Sequence, residues 1–138
     1  MFCLRKILFV LAVAAVGMLS VVSCSKESNL RSDIIGEWHF SDMETDVFIE
    51  FRTDGNYELF QKIGAGRYRG YAGKWKLEKN ILSGTYAEGD DWGSSYRVDL
   101  KSFDTLVLSA MNGSEEKNIY KREDIPADVR ESALIVKY

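Results

Sequence analysis

The sequence predicts an all-β protein: an eight-stranded antiparallel up-and-down β-barrel behind an N-terminal signal segment, with a short C-terminal helical stub. Three observations predict it. Apolar and polar residues alternate with period two in eight short runs. Gly, Asn and Asp separate the runs in stretches too short for the crossovers of a sandwich. No apolar stripe of helical period appears before the C-terminal tail. With 138 residues, 46% hydrophobic and 28% charged, the chain suits one globular domain, and a disordered or collagen-like chain is excluded.

Residues 1–23 read as a targeting leader. Arg5 and Lys6 form a basic start, Ile7 to Val16 is an unbroken apolar run, and small residues follow. That layout is a secretory signal, and the run is too short for a membrane span of ~20 residues. Val21-Val22-Ser23-Cys24 resembles the lipobox of bacterial lipoproteins. The resemblance implies a diacylglyceryl group on Cys24, which becomes the new N-terminus and tethers the protein to a membrane. Ser25, rather than Asp, follows the lipidated position, which resembles outer-membrane sorting with the face left open. Cys3 and Cys24 are the two cysteines. Cleavage and lipidation therefore leave no thiol for a disulfide, a nucleophile or a zinc site. Residues 24–33, rich in Ser, Lys, Glu and Asn, read as a polar tether.

The barrel is expected over residues 34–123. The alternation predicts strands over Ile35–Ser41, Val47–Thr53, Tyr57–Ile63, Ala72–Glu78, Ile81–Ala87, Ser95–Lys101, Thr105–Ala110 and Glu116–Arg122. Paired strands must bring apolar faces together. A three-residue loop Asp54-Gly55-Asn56 pairs Phe51 with Leu59 and Val47 with Ile63, and sets Gln61 opposite Ile49. A two-residue Lys79-Asn80 turn pairs Leu77 with Leu82 and Trp75 with Gly84. Tyr96, Val98, Leu100, Leu106, Leu108 and Ala110 continue the inward set. The parity of the last strand is left open by the loop around Asn112-Gly113. Residues 124–138 form a tail with a turn or two of helix, Asp124 as its cap and Pro126 near its first position.

Gly36-Glu37-Trp38 is similar to the Gly-x-Trp signature of lipocalins. The stretches Phe51-Arg52-Thr53-Asp54-Gly55-Asn56-Tyr57, Gly73-Lys74-Trp75-Lys76-Leu77 and Tyr120-Lys121-Arg122 resemble the lipocalin-like domain family of bacterial lipoproteins. The likeness covers most of Ile34 to Glu123 and implies a cup-shaped barrel, with Trp38 closing its floor under Arg122 as a stacked pair. It names no ligand, and the long C-terminal helix of true lipocalins is reduced here to a stub.

Signals for chemistry are sparse. Asp+Glu number 21 against 18 Lys+Arg, and loss of Arg5 and Lys6 makes the remainder more acidic, which argues against nucleic acid. His39, the single histidine, faces opposite to Trp38 and Phe40 and reads as an exposed surface residue. Gly64-Ala65-Gly66 lacks the third glycine and the helix of a dinucleotide site, so 64–70 reads as a flexible mouth loop. Its Arg67, Tyr68 and Arg69, together with Trp92 in another polar loop, are candidate contacts. Glu88, Asp90 and Asp91 offer too few spaced oxygens for calcium. No catalytic residue, metal or cofactor is expected. The expected function is a lipid-anchored envelope protein binding a small, largely apolar molecule near Tyr57, Gln61, Trp75, Tyr86 and Tyr96. The alternative is a filled-barrel interaction protein, an inhibitor or accessory subunit of an unidentified protein partner, acting through its loops.

Overall fold

The computed structural model describes residues 29–137. The leader, Cys24 and the first part of the tether lie outside the described residues. Residues 29–34 are helical (α1), so the second half of the expected tether is part of the fold. Eight strands follow: β1 Gly36–Ser41, β2 Thr45–Phe51, β3 Asn56–Ile63, β4 Arg69–Glu78, β5 Ile81–Tyr86, β6 Tyr96–Ser102, β7 Thr105–Ala110 and β8 Lys117–Arg122. Each pairs antiparallel with its sequence neighbour, and β1–β8 pairing closes the barrel. Helix α2 (Ala127–Ser132) and β9 (Leu134–Ile135) complete the fold. Among the described residues, no helix is long and apolar enough to cross a membrane.

Period-two alternation sends one side chain in two to the interior, because successive Cβ atoms of a strand point to opposite faces. Trp38, Val47, Ile49, Phe51, Tyr57, Trp75, Leu82, Val98, Leu106, Leu108 and Tyr120 form one buried cluster, joined by Ile34 of α1. The open parity of β8 is settled by the pair Leu106↔Tyr120, which turns Tyr120 and Asn118 inward. The Lys79-Asn80 turn pairs Leu77 with Leu82 and Trp75 with Gly84, and Lys79 takes the left-handed conformation (φ 60) that such a tight turn requires.

The β2–β3 register differs from the expectation by two residues: Phe51 pairs with Tyr57, Ile49 with Leu59 and Val47 with Gln61. The loop is Thr53-Asp54-Gly55, closed by the Gly55 amide donating to the Arg52 carbonyl (3.2 Å) and the Arg52 amide to Asn56 (2.9 Å). In this turn the left-handed residue comes third. Gly55 (φ 87) takes that place, which moves the loop one residue back from the expected position. A shift of two preserves the faces, so parity alone does not detect it.

The 87–95 stretch is a continuation of a hairpin rather than a free loop. The Gly89 amide donates to Tyr86 (2.9 Å), the Tyr86 amide to Asp90 (2.7 Å) and the Trp92 amide to Gly84 (2.9 Å). Residues 93–95 then bulge out before β6 resumes with Leu82↔Tyr96.

The C-terminal tail is a strap. Asp124 does not cap α2, whose N-cap is Pro126, with no side-chain cap bond. The residue before a proline is held out of helical conformation, so no helix can begin at Ile125. Ile125 and Val129 instead bury themselves against Phe48 and Phe60 on the outer face of β2 and β3. Arg130 donates to Glu58 (2.7 Å) and Glu50 (3.0 Å), and Arg52 bridges the same two carboxylates. Beyond the helix, β9 pairs in parallel with Arg69 and Gly70 at the start of β4.

Candidate functional site

The two ends of the barrel differ. At one end α1, the β2–β3 turn and the β4–β5 turn meet, and this end is sealed. Trp38 is fully buried, and its indole N–H donates to the Ile34 carbonyl of α1 (2.9 Å). The Arg122 guanidinium lies 4.2 Å over the Trp38 ring and 4.3 Å over Phe103. It donates to the carbonyls of Phe103 (2.9 Å), Ile35 (3.0 Å) and Asp33 (2.7 Å). These carbonyl and ring contacts together hold one cation as a cover plate, a use of arginine that a lysine could not match. Beside it, Trp75 packs edge-on to Phe51, donates to the Arg52 carbonyl (3.1 Å) and carries Arg31 of α1 over its ring at 4.5 Å.

Toward the other end the interior opens into a cup of about 270 Å3. That lies just below the usual range of about 300–1,000 Å3 for small-molecule sites. Its walls are Tyr57, Tyr71, Tyr86, Trp92, Tyr96 and Tyr120 with Leu59, Leu82 and Leu108, and Gln61 and Asn118 supply two side-chain amides. Among the described residues, neither amide side chain has a hydrogen-bond partner. Trp92 donates from its indole N–H to the Tyr57 hydroxyl (2.9 Å) and packs edge-on against Tyr57 and Tyr96. Burial pushes the Tyr57 phenol above its ordinary range. Burial, then the Glu116 charge and Tyr86, does the same to Tyr96. Burial also raises Tyr120. These phenols therefore stay neutral donors at neutral pH.

Of the residues expected at a ligand, Tyr57, Gln61, Tyr86 and Tyr96 line the cup. Trp75 does not: its indole belongs to the sealed floor. Gly84, facing Trp75 across the hairpin, leaves no empty space, because a Cβ there would stand 2.5 Å from the Trp92 ring. Trp92 is therefore not an exposed loop contact. The glycine opposite it draws the indole inward to become a cup wall. The cup also takes in Tyr71, Leu59, Asn118 and Tyr120, which the sequence expectation omits. Each sits at an inward parity position; for Leu59 and Tyr71 that is the signal by which the sequence could reveal them, whereas Asn118 and Tyr120 wait on the register of β8.

The mouth loop is held rather than free. Arg67 donates to the Ser132 carbonyl of the strap (2.7 Å), and the Tyr68 carbonyl accepts from the Leu134 amide (2.9 Å). The Tyr68 hydroxyl donates to Asp46. Arg69 remains exposed at the rim. At the rim a second hollow, a vestibule, shares Gln61 and Tyr71 with the cup and is lined also by Ile63, Arg67, Arg69 and Leu134.

His39 is not an exposed surface residue. It lies on the outer face, stacked on Phe48 with 4.2 Å between ring centroids. Its Nε2 meets Asp46 at 2.6 Å and its Nδ1 meets Glu123 at 3.1 Å. The two carboxylates occupy opposite edges of the ring. Among the described residues, no three metal-ligating side chains converge on one point. The cluster ties β1, β2, the mouth loop and the end of β8 together. Burial raises the Asp46 carboxyl, but the hydrogen bonds from Tyr68 and His39 outweigh it and hold the carboxyl below the usual carboxylate range. A depressed folded pKa stabilises the fold above the unfolded value of about 3.9, and the contribution is lost as pH falls through the folded value. Asp46→Ala is expected to cost about 1.5–3 kcal/mol at pH 7. The difference from wild type shrinks as the pH drops below about 4, as measured by urea denaturation across pH.

No protein-family model matches the chain, and no curated protein matches it.

Proposed function

We propose that this chain is a lipid-anchored envelope protein of the lipocalin-like kind, whose barrel binds a small, largely apolar molecule. The observation that carries the reading is the cup: sealed at the floor, open at the mouth, walled by aromatic rings, with two amides unpartnered among the described residues to orient an occupant. The described chain begins at the sealed end. Cys24 precedes Asn29, the first described residue of α1, by five positions, a reach of about 17 Å at most. An acylated Cys24 would hold the floor toward the membrane and the mouth away from it, so the ligand would arrive through water.

Two measurements test this. Mass spectrometry of the native protein is expected to find a mature N-terminus at Cys24 carrying acyl chains; an unmodified amino terminus removes the anchor. Solvent extraction of the purified protein is expected to release a small molecule that is missing from an Asn118→Trp variant, in which an indole fills the cup. Equal yields from both proteins would remove the ligand reading. The exposed Met43, Ile63 and Met111 near the mouth favour the second reading, docking of a protein partner through the loops. That reading gains if a partner is captured equally well by the Asn118→Trp variant.

A further inference from the structure

The charge around the cup is uneven in a way the composition does not foreshadow. The chain has more acidic than basic residues, yet among the described residues no Asp or Glu lines either the cup or its vestibule. The charged residues that do line them are Arg67 and Arg69. Arg69 opens β4 two residues before Tyr71, on the same inward parity as Tyr71, Gly73 and Trp75, and it pairs across to Gln61. Four other arginines of the fold are engaged: Arg52 and Arg130 with glutamates, Arg122 with carbonyls and rings, and Arg67, its neighbour in the mouth loop, with Ser132. Among the described residues, Arg69 has no carboxylate, carbonyl or ring partner. An inward-facing arginine left unpaired at the mouth of a cavity is a receptor for an anion, since its planar fork matches a carboxylate in two parallel hydrogen bonds.

The opposite side of the mouth reinforces the polarity. Glu116 precedes β8, four strands round the barrel from β4; burial chiefly raises Tyr96 and Tyr120, and the Glu116 charge adds to it. It lines neither cavity. The cup's volume equals that of about nine waters at ~30 Å3 each, which suits a compact body and not a long acyl chain or a large macrocycle.

Resting on the reading of the cup as a ligand site, we propose that its ligand is a small organic acid. Its compact apolar body, aromatic or of similar size, lies among Tyr71, Tyr86, Trp92 and Tyr96. Its single anionic group lies at the mouth on Arg69, with the Gln61 amide as second donor. An anionic ligand also fits a mouth that faces water, because the charge keeps the molecule soluble on its way in.

The test is calorimetric titration of the full-length protein with three probes that differ only at one end: phenylbutyrate, phenylbutanol and phenylbutylamine. The acid is expected to bind at least about tenfold more tightly than the alcohol, with the amine weakest. In Arg69→Gln the acid and the alcohol become equal, and Arg69→Lys, which keeps the charge but loses the fork, keeps only part of the preference. Acid and alcohol binding equally to wild type would overturn the anionic ligand and leave the cup standing. An acid preference that survives Arg69→Gln would overturn the role of Arg69. Binding of none of the three would overturn this proposal together with the ligand reading beneath it. Arg69 is exposed, and an unchanged thermal midpoint in both variants confirms that binding alone is being read.

Discussion

Trp38→Ala is expected to lose about 3–5 kcal/mol of folding stability. The ring is fully buried, so its removal opens a cavity that the rigid sheet around it cannot collapse to fill. The loss extends beyond packing. The indole N–H holds the last carbonyl of α1, and the ring face carries the Arg122 guanidinium. Without the indole, the cation keeps its carbonyl bonds but faces a void on one side. For a domain of ordinary stability, about 5–15 kcal/mol, this is a large fraction of the whole. The thermal midpoint should fall by on the order of 15 °C. Phe103→Ala is the control. That ring also packs on the same guanidinium but is 76% exposed, and its loss is expected to cost less than about 1 kcal/mol. Calorimetry of both variants checks the contrast, and equal costs would mean that the floor is not held as described.

Ending the chain after Glu123 is the second large perturbation. It leaves the eight barrel strands intact and keeps Glu123 on His39, but removes α2 and β9. Phe48 and Phe60, both 4% exposed, would become a bare apolar patch on the outer wall. Glu37, Glu50 and Glu58 would lose Arg130. Burial of Ile125 and Val129 contributes about 1.5–3 kcal/mol each, and ordering the tail offsets part of that. The net cost is expected to be about 2–4 kcal/mol, with new binding of an apolar dye and a tendency to aggregate. Urea denaturation measures the first and dye fluorescence the second. A truncated chain as stable as the full one would make the strap an ornament. If instead the barrel fails to fold at all, the strap is part of the core.

The contrast between tail and barrel marks how far the sequence can be read. Within the barrel, local signals give the strands and most of the inward faces. The Lys79-Asn80 turn places Trp75 opposite Gly84 from length alone, and the lipocalin resemblance of Gly36-Glu37-Trp38 implies the floor under Arg122. In the tail, Ile125 and Val129 are too few to show a period, and what they bury against, Phe48 and Phe60, lies far back in the chain on a face that alternation assigns to solvent. His39 escapes the alternation for the same reason. Its parity is outward, but outward on β1 and β2 means beneath the strap, and Asp46, Glu123 and Tyr68 converge on the cluster from three separate segments. The β2–β3 register differs by two because the position of Gly55 within the turn, not the face pattern, sets it.

Taken alone, the chain of residues determined the eight barrel strands, their order and which side chains turn inward on β1 to β7. All three follow from the pleat, in which each residue's direction depends only on its neighbours. Which inward side chains fill space and which leave it open was decided by tertiary structure. Trp75 and Trp92 look alike as large rings in a β protein. One is floor and the other is wall because α1 and Arg31 press on the first, while Gly84 makes room for the second. Volume is shared among segments that meet only when the sheet closes, and the cup, with Arg69 at its mouth, is what that sharing leaves unfilled.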